Sequence, residues 1–252
     1  MIASLTLDPD DSADFPGNTG TALGRPIPAY ALLAARAAGL IRHHFVVTAS
    51  PPVKSVALQN DAVIIDPPAG EHPACPAQGL LLHGYARLKE ELKGETEPLE
   101  LVVVLFAHAP AVTGDLIAEG IEALRAQPAL DSVVSVTSRN HFNPFFARRL
   151  NAEGLLEPYA AFADRGKAEV FYPNWGLQVL RVSQLEAPTG EPPFPWLGKK
   201  VLPLKQWGGG PVEYKWQVPG IEYWLKKHGY SDLTPSFEMQ PKPQPKPQAE
   251  RR

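Results

Sequence analysis

The sequence predicts an α/β fold built on a mostly parallel sheet with helices on both faces. Two observations carry this reading. The first is the run Leu101-Val102-Val103-Val104-Leu105-Phe106, apolar at every position. A strand with one wet face alternates, whereas a strand covered on both faces does not. The second is rhythm: strand-like and helix-like segments alternate from Met1 to Val136, the order of a sheet with helical crossovers.

Met1 to Leu7 reads as the first strand, followed by a loop over residues 8–24 rich in Asp, Gly and Pro. Pro26 to Leu40 carries good helix formers (Ala31, Leu32, Leu33, Ala34, Ala35, Ala37), with Gly39 near its end. His44 to Thr48 is a second strand, Val53 to Gln59 a short helix, and Ala62 to Ile65 a brief third strand stopped by Asp66-Pro67-Pro68. Leu81, Leu82, Tyr85, Leu88 and Leu92 fall at helical spacing in Gln78 to Lys93. Next comes a unit of strand (Leu101–Phe106), turn (Ala107-His108-Ala109-Pro110), helix (Thr113 to Gln127) and strand (Ser132–Val136), with the right-handed crossover expected of such units. Ligands of these sheets sit beyond the carboxyl ends of the strands. Residues 107–112 are therefore a candidate site; a buried loop without a ligand fits the same residues equally.

After Ser138 the rhythm changes. Phe145–Leu150, Val170–Tyr172, Gly176–Val182 and Lys199–Leu204 read as strands without long helices between them, and Gly220–His228 as a short amphipathic helix. The expectation is one domain over residues 1–230. Within it, a β-rich extension at 138–215 either covers the site or supplies a homodimer contact. A tail over residues 231–252 contains Pro241-Lys242-Pro243-Gln244-Pro245-Lys246-Pro247-Gln248, a composition that predicts an extended, disordered segment.

The composition is that of a globular protein, 44% hydrophobic and 20% charged. A net charge of −3 and a pI near 6.2 imply no basic face and argue against a nucleic-acid partner. The single cysteine, Cys75, rules out an intramolecular disulfide and fits a cytoplasmic protein. No apolar stretch approaches the ~20 residues of a membrane-spanning helix, so no membrane partner is expected.

Several segments, in shared order across most of residues 1–229, resemble the acylneuraminate cytidylyltransferase family, the CMP-sialic acid synthetases and their relatives. Phe15-Pro16-Gly17-Asn18 and Leu23-Gly24-Arg25-Pro26-Ile27 resemble the family's first loop and the "LxGxPL" that opens its first helix. Leu105 to Thr113 is similar to its "LQPTSPLRT", or in one branch "GNAPTVT", and Asp131 to Val136 to its "DSVVSV". Val212 to Gln217 with Ile221-Glu222-Tyr223-Trp224-Leu225 resembles "DVDxEWQ…EYWL". The resemblance implies a nucleotide-diphospho-sugar transferase (Rossmann-like) fold. It also implies transfer of CMP from CTP to a small acidic acceptor, a sugar acid or phosphonate, with release of pyrophosphate and Mg²⁺ as cofactor.

Carried residue by residue, the resemblance places Ser12, Gly17 and Asn18 at the nucleotide, Glu213 at the metal, and His108, Asn174 and Arg148 toward the acceptor, with Glu213 and His108 as the catalytic candidates. The residues themselves leave other readings open. Asn18 suits turn chemistry beside Gly17 and Gly20, His108 suits a polar strand end, and Arg148-Arg149 suits a solvated, salt-bridged edge.

The sequence also departs from the family where its chemistry needs charge. Against "RGGSxGFPGKN" it has Pro9-Asp10-Asp11-Ser12-Ala13-Asp14-Phe15-Pro16-Gly17-Asn18, losing the Arg and the Lys and gaining acids. One like-charge contact at ~4 Å and an effective dielectric of about 20 costs roughly 4 kcal/mol before screening. Pro211 stands at the first acid of "DVD", and Ser50-Pro51-Pro52 replaces an acidic "STDD". The alternative expectation is therefore a catalytically silent subunit that binds a nucleotide, a sugar or a partner.

Overall fold

The computed structural model describes residues 1–9, 17–68, 76–138, 144–159 and 169–233. Ser12 and the expected tail beyond residue 233 lie outside the described residues. The elements run β1 (Ile2–Leu7), β2 (Thr21–Ala22), β3 (Arg25–Pro26), α1 (Ile27–Ala37), β4 (His43–Val47), α2 (Pro51–Gln59), β5 (Val63–Ile65), α3 (Pro76–Glu91), β6 (Leu101–Phe106), α4 (Gly114–Ala126) and β7 (Ser132–Ser138). They continue with β8 (Arg148–Leu150), β9 (Leu156–Pro158), β10 (Phe171–Arg181), α5 (Val182–Glu186), β11 (Val201–Lys205) and α6 (Val218–Lys227).

The main sheet has seven strands in the order β11-β7-β10-β6-β1-β4-β5. Every neighbouring pair is parallel except the two made by β10, which runs antiparallel between β6 and β7. The fold class read from the sequence is the one observed. The β-rich stretch divides: β10 and β11 belong to the main sheet, and the small hairpin β8–β9 stands outside it. The two strand segments expected at 170–182 are one strand, β10, with a register shift between Pro173 and Gln178.

β6 is apolar throughout because it feeds two cores. Val102, Val104 and Phe106 pack with Leu81, Tyr85 and Leu88 of α3. Leu101, Val103 and Leu105 pack with Ala34 and Ala35 of α1 and with Ile117, Ile121 and Leu124 of α4. Burying each such aliphatic side chain contributes about 1.5–3 kcal/mol, so this strand anchors the sheet from both sides.

Helix ends follow their sequences. The Thr113 hydroxyl accepts from the Leu116 amide at 3.2 Å, capping α4, and Asp115 and Arg125 complement its two ends. At the other end of α4, the Arg181 guanidinium donates to the Leu124 and Leu130 carbonyls. Asp131, the first residue of the motif shared with the resembled family, has a structural task. Its Oδ2 accepts from the amides of Lys199 (2.8 Å) and Lys200 (2.9 Å), fixing the chain that leads into β11 beside β7. No helix among the described residues is long and apolar enough to cross a membrane.

Candidate functional site

Three loops meet at the carboxyl edge of the parallel strands: those following β1, β6 and β11. Gly17, from the first, lies against the third so closely that a Cβ on it would stand 2.0 Å from the Val212 carbonyl oxygen and 3.2 Å from His108 Cβ. The Val212 amide donates to the His108 carbonyl at 2.8 Å, closing the contact between the second loop and the third. Glycine is required at 17 by this close approach.

The end of β1 carries Asp8, which is only 7% exposed. Its Oδ1 accepts from Asn18 Nδ2 at 2.8 Å, and its Oδ2 accepts from the Thr48 hydroxyl at the end of β4. Thr48 Oγ1 in turn accepts from the Ser50 amide at 2.9 Å. Among the described residues, Asn18 and Thr48 donate to the Asp8 carboxylate, both as neutral groups. Of the four acids that the sequence puts in this loop, Asp8 faces inward to Asn18 and Thr48, and Asp10, Asp11 and Asp14 lie outside the described residues.

His108 is buried at 8% exposure, edge-on to Phe106 with ring centroids 6.2 Å apart. Phe106 also meets Trp175 edge-on at 5.0 Å, and Trp175 continues into Phe194 and Trp196. Trp175 holds φ +58°, a left-handed conformation unusual for a bulky residue. It sits in the irregular part of β10, which is stabilised from below by Asn174. Asn174 Oδ1 accepts from the Ser135 hydroxyl (2.5 Å) and the Gly176 amide (3.1 Å), and its Nδ2 donates to Thr137 Oγ1 (3.1 Å). A non-glycine residue in this backbone region costs on the order of 1–3 kcal/mol, sustained by the surrounding bonds.

Glu213 follows Val212 and is exposed, its carboxylate without a partner among the described residues. Its amide and that of Tyr214 donate to Gln217 Oε1 at 2.7 and 2.9 Å. No group of three His, Cys, Asp or Glu side chains among the described residues forms a metal cage. Magnesium is commonly held by one or two carboxylates plus substrate phosphates, so Glu213 fits as a single protein ligand to an ion carried by a polyphosphate. Arg148 stands apart on the β8–β9 hairpin, exposed, with its guanidinium donating to the Ala147 carbonyl. Its neighbour Arg149 pairs with Glu157 at 2.7 Å.

Of the residues singled out in the sequence, the structure thus brings Gly17, Asn18 and His108 to one place, with Glu213 at its rim and Asn174 beneath it. Sequence reasoning missed the inward clamp of Asp8 by Thr48. Its signal was position: both residues end parallel strands. The left-handed backbone at Trp175 carries no signal in the sequence.

No family model and no curated protein matches the chain. Solved structures do match. The CMP:2-keto-3-deoxy-manno-octonic acid synthetase complexed with CTP has a TM-score of 0.60 at 13% identity, over 90% of this chain and 99% of the other. The 4-diphosphocytidyl-2C-methyl-D-erythritol synthase from Anaerococcus prevotii DSM 20548 has a TM-score of 0.57 at 13% identity, over 90% and 96%. At this identity the likeness is one of fold, and the architecture of this chain is the Rossmann-like nucleotide-sugar transferase fold of those nucleotidyltransferases.

Proposed function

We propose that this chain binds CTP between the loop after β1 and the loop after β6, and transfers CMP to a small acidic acceptor of the sugar-acid or phosphonate class. The observation that carries this reading is the Gly17–His108–Val212 junction. It joins three loops at the strand ends where this fold places ligands. One structure of like fold is complexed with CTP. The motif resemblance adds the acylneuraminate branch as the acceptor preference.

In this reading an acceptor oxygen attacks the α-phosphorus, the new O–P bond forms as the bond to the β-phosphate oxygen breaks, and pyrophosphate leaves with the electron pair. Asn18 keeps its Oδ1 for the nucleoside while its Nδ2 holds Asp8. Gly17 offers bare backbone, His108 flanks the acceptor side, and Asn174 positions the β10 bulge and Trp175. Glu213 would hold a magnesium ion carried by the triphosphate, which when bound would supply neutralisation of the phosphoryl charge.

The second reading, a silent binding or assembly subunit, is favoured by the lone Glu213 carboxylate beside Pro211 and by the first loop's missing Arg and Lys. Pyrophosphate release from CTP with Mg²⁺ and a panel of sugar acids and phosphonates separates the two. Acceptor-dependent release supports transfer. A rise in melting temperature with CTP, without release, supports the silent reading. The absence of both responses would exclude the nucleotide from the function.

A further inference from the structure

A second cavity, of about 280 Å³, opens between the loop after β11 and the start of α6. Its lining includes Trp207, Trp216 and Trp224 and the run Gly208, Gly209 and Gly210, and among the described residues no charged side chain lines it.

Two of the indoles are fixed. Trp224 Nε1 donates to the Trp207 carbonyl at 2.9 Å, and the His228 ring stacks on both, 3.7 Å from Trp224 and 5.6 Å from Trp207. The third, Trp216, is 75% exposed and, among the described residues, stacks on Tyr214 at 6.0 Å. An exposed indole beside a fixed aromatic wall, stacked on one other ring, leaves a large apolar face to solvent.

The glycines are there for backbone reasons. All three have positive φ (+67°, +82° and +132°). A Cβ on Gly208 would meet Trp224 Cδ1 at 3.0 Å, and one on Gly209 would meet Gln206 Nε2 at 3.0 Å. The loop is braced from behind by Thr137, whose hydroxyl donates to the Gly208 carbonyl at 2.6 Å. The amides of Gly208, Gly209 and Gly210 have no acceptor among the described residues. The cavity is therefore lined by aromatic residues and by a glycine run whose amides have no acceptor among the described residues.

We propose that this cavity binds an uncharged, hydroxyl-bearing pyranose ring, its C–H face on the indoles and its hydroxyl oxygens on the amides of Gly208 to Gly210. At about 280 Å³ the cavity lies just under the roughly 300 Å³ at which ligand pockets begin, room for a single ring and no more. An anion would lose its hydration against three indoles with no cation to compensate. A sugar carries an apolar face and several acceptor oxygens around one edge, which matches both wall types. The site does not depend on nucleotide transfer and goes beyond it.

The test is titration of the full chain with methyl α-glucoside, methyl α-galactoside, methyl α-mannoside and N-acetylglucosamine, read by tryptophan fluorescence and by saturation-transfer NMR. Cytidine and inorganic phosphate serve as competitors. At least one pyranoside should bind saturably. Trp216→Ala, at an exposed position that leaves the fold intact, should weaken it about tenfold, roughly one aromatic contact, with Trp216→Phe recovering part of the loss. The melting shift with CTP should be the same in all three proteins. No pyranoside binding, binding unchanged in Trp216→Ala, or displacement by cytidine or phosphate would each overturn the assignment.

Discussion

Gly17 and Val212 touch so closely that the room for a single methyl group is missing: a Cβ at 17 would fall 2.0 Å from the Val212 carbonyl oxygen. These residues lie almost two hundred positions apart in sequence, and their contact ties the first loop of the chain to the last. Gly17→Ala should therefore destabilise the protein by about 1–3 kcal/mol, the cost of overpacking a site where the obstacle is backbone. Urea denaturation measures it. Gly94→Ala, where a Cβ meets nothing within 4 Å, is the control and should not lower stability.

The Asp8 carboxylate relies on the Thr48 hydroxyl and the Asn18 amide. Thr48→Val keeps the shape of the side chain and removes one donor from a buried charge. The expected loss is about 1–3 kcal/mol, read as a lower urea midpoint with unchanged slope. Asp8→Asn in the Thr48→Val background should recover part of it, because the buried charge is gone.

Asn174 makes its three bonds inside the sheet, to Ser135, Thr137 and Gly176. Asn174→Ala should cost roughly 2–3 kcal/mol and free Trp175 from its left-handed conformation. Near-ultraviolet circular dichroism should show a changed aromatic signal. A stability loss without that change would mean that Asn174 does not hold the Trp175 bulge.

His44 has its pKa lowered by burial first, then by the positive charges of Arg36 and His43. Its ring nitrogen Nδ1 lies 2.9 Å from Ser4 Oγ. A base with a depressed folded pKa binds fewer protons folded than unfolded below the unfolded value of about 6.5. Its contribution is complete above that pH and is lost as pH falls from there toward the depressed folded value. The melting temperature should drop on going from pH 7.5 to 5.5, and His44→Gln should shrink the drop. An equal drop in the variant would assign the pH dependence to other groups.

The parallel core was legible in the sequence because its physics is local. A run such as Leu101–Phe106 has no wet face, and Thr113 with Asp115 announces a helix start. The segment 170–182 misled because Pro173 and Gly176 interrupt the pattern of what is one strand; the interruption is a bulge in which Asn174 bonds Ser135 and Thr137 of β7, outside the segment. The place of β10 between β6 and β7 depends on pairing across long separations, which periodicity does not encode. At the site, residue types pointed to loops that the structure brings together: Gly17 and Asn18 lie in the loop after β1 and His108 in the loop after β6. Hydrogen-bond direction was not legible. Asp8 looks in sequence like one more solvated acid, and it is the bonds to Thr48 at the end of β4 and to Asn18 that turn it inward.

The antiparallel strand β10 has a consequence for how the chain comes off the ribosome. β6, β1, β4 and β5 can join one another as soon as residue 106 has emerged, since all four pair among themselves. β7 cannot: both of its partners, β10 and β11, are translated after it. Until residue 181 is made, β7 is a sticky ribbon of Val133, Val134 and Val136 with two bare edges, the state in which strands find neighbours on other molecules. A fragment ending near residue 150 should accordingly precipitate, whereas one ending near 230 should not.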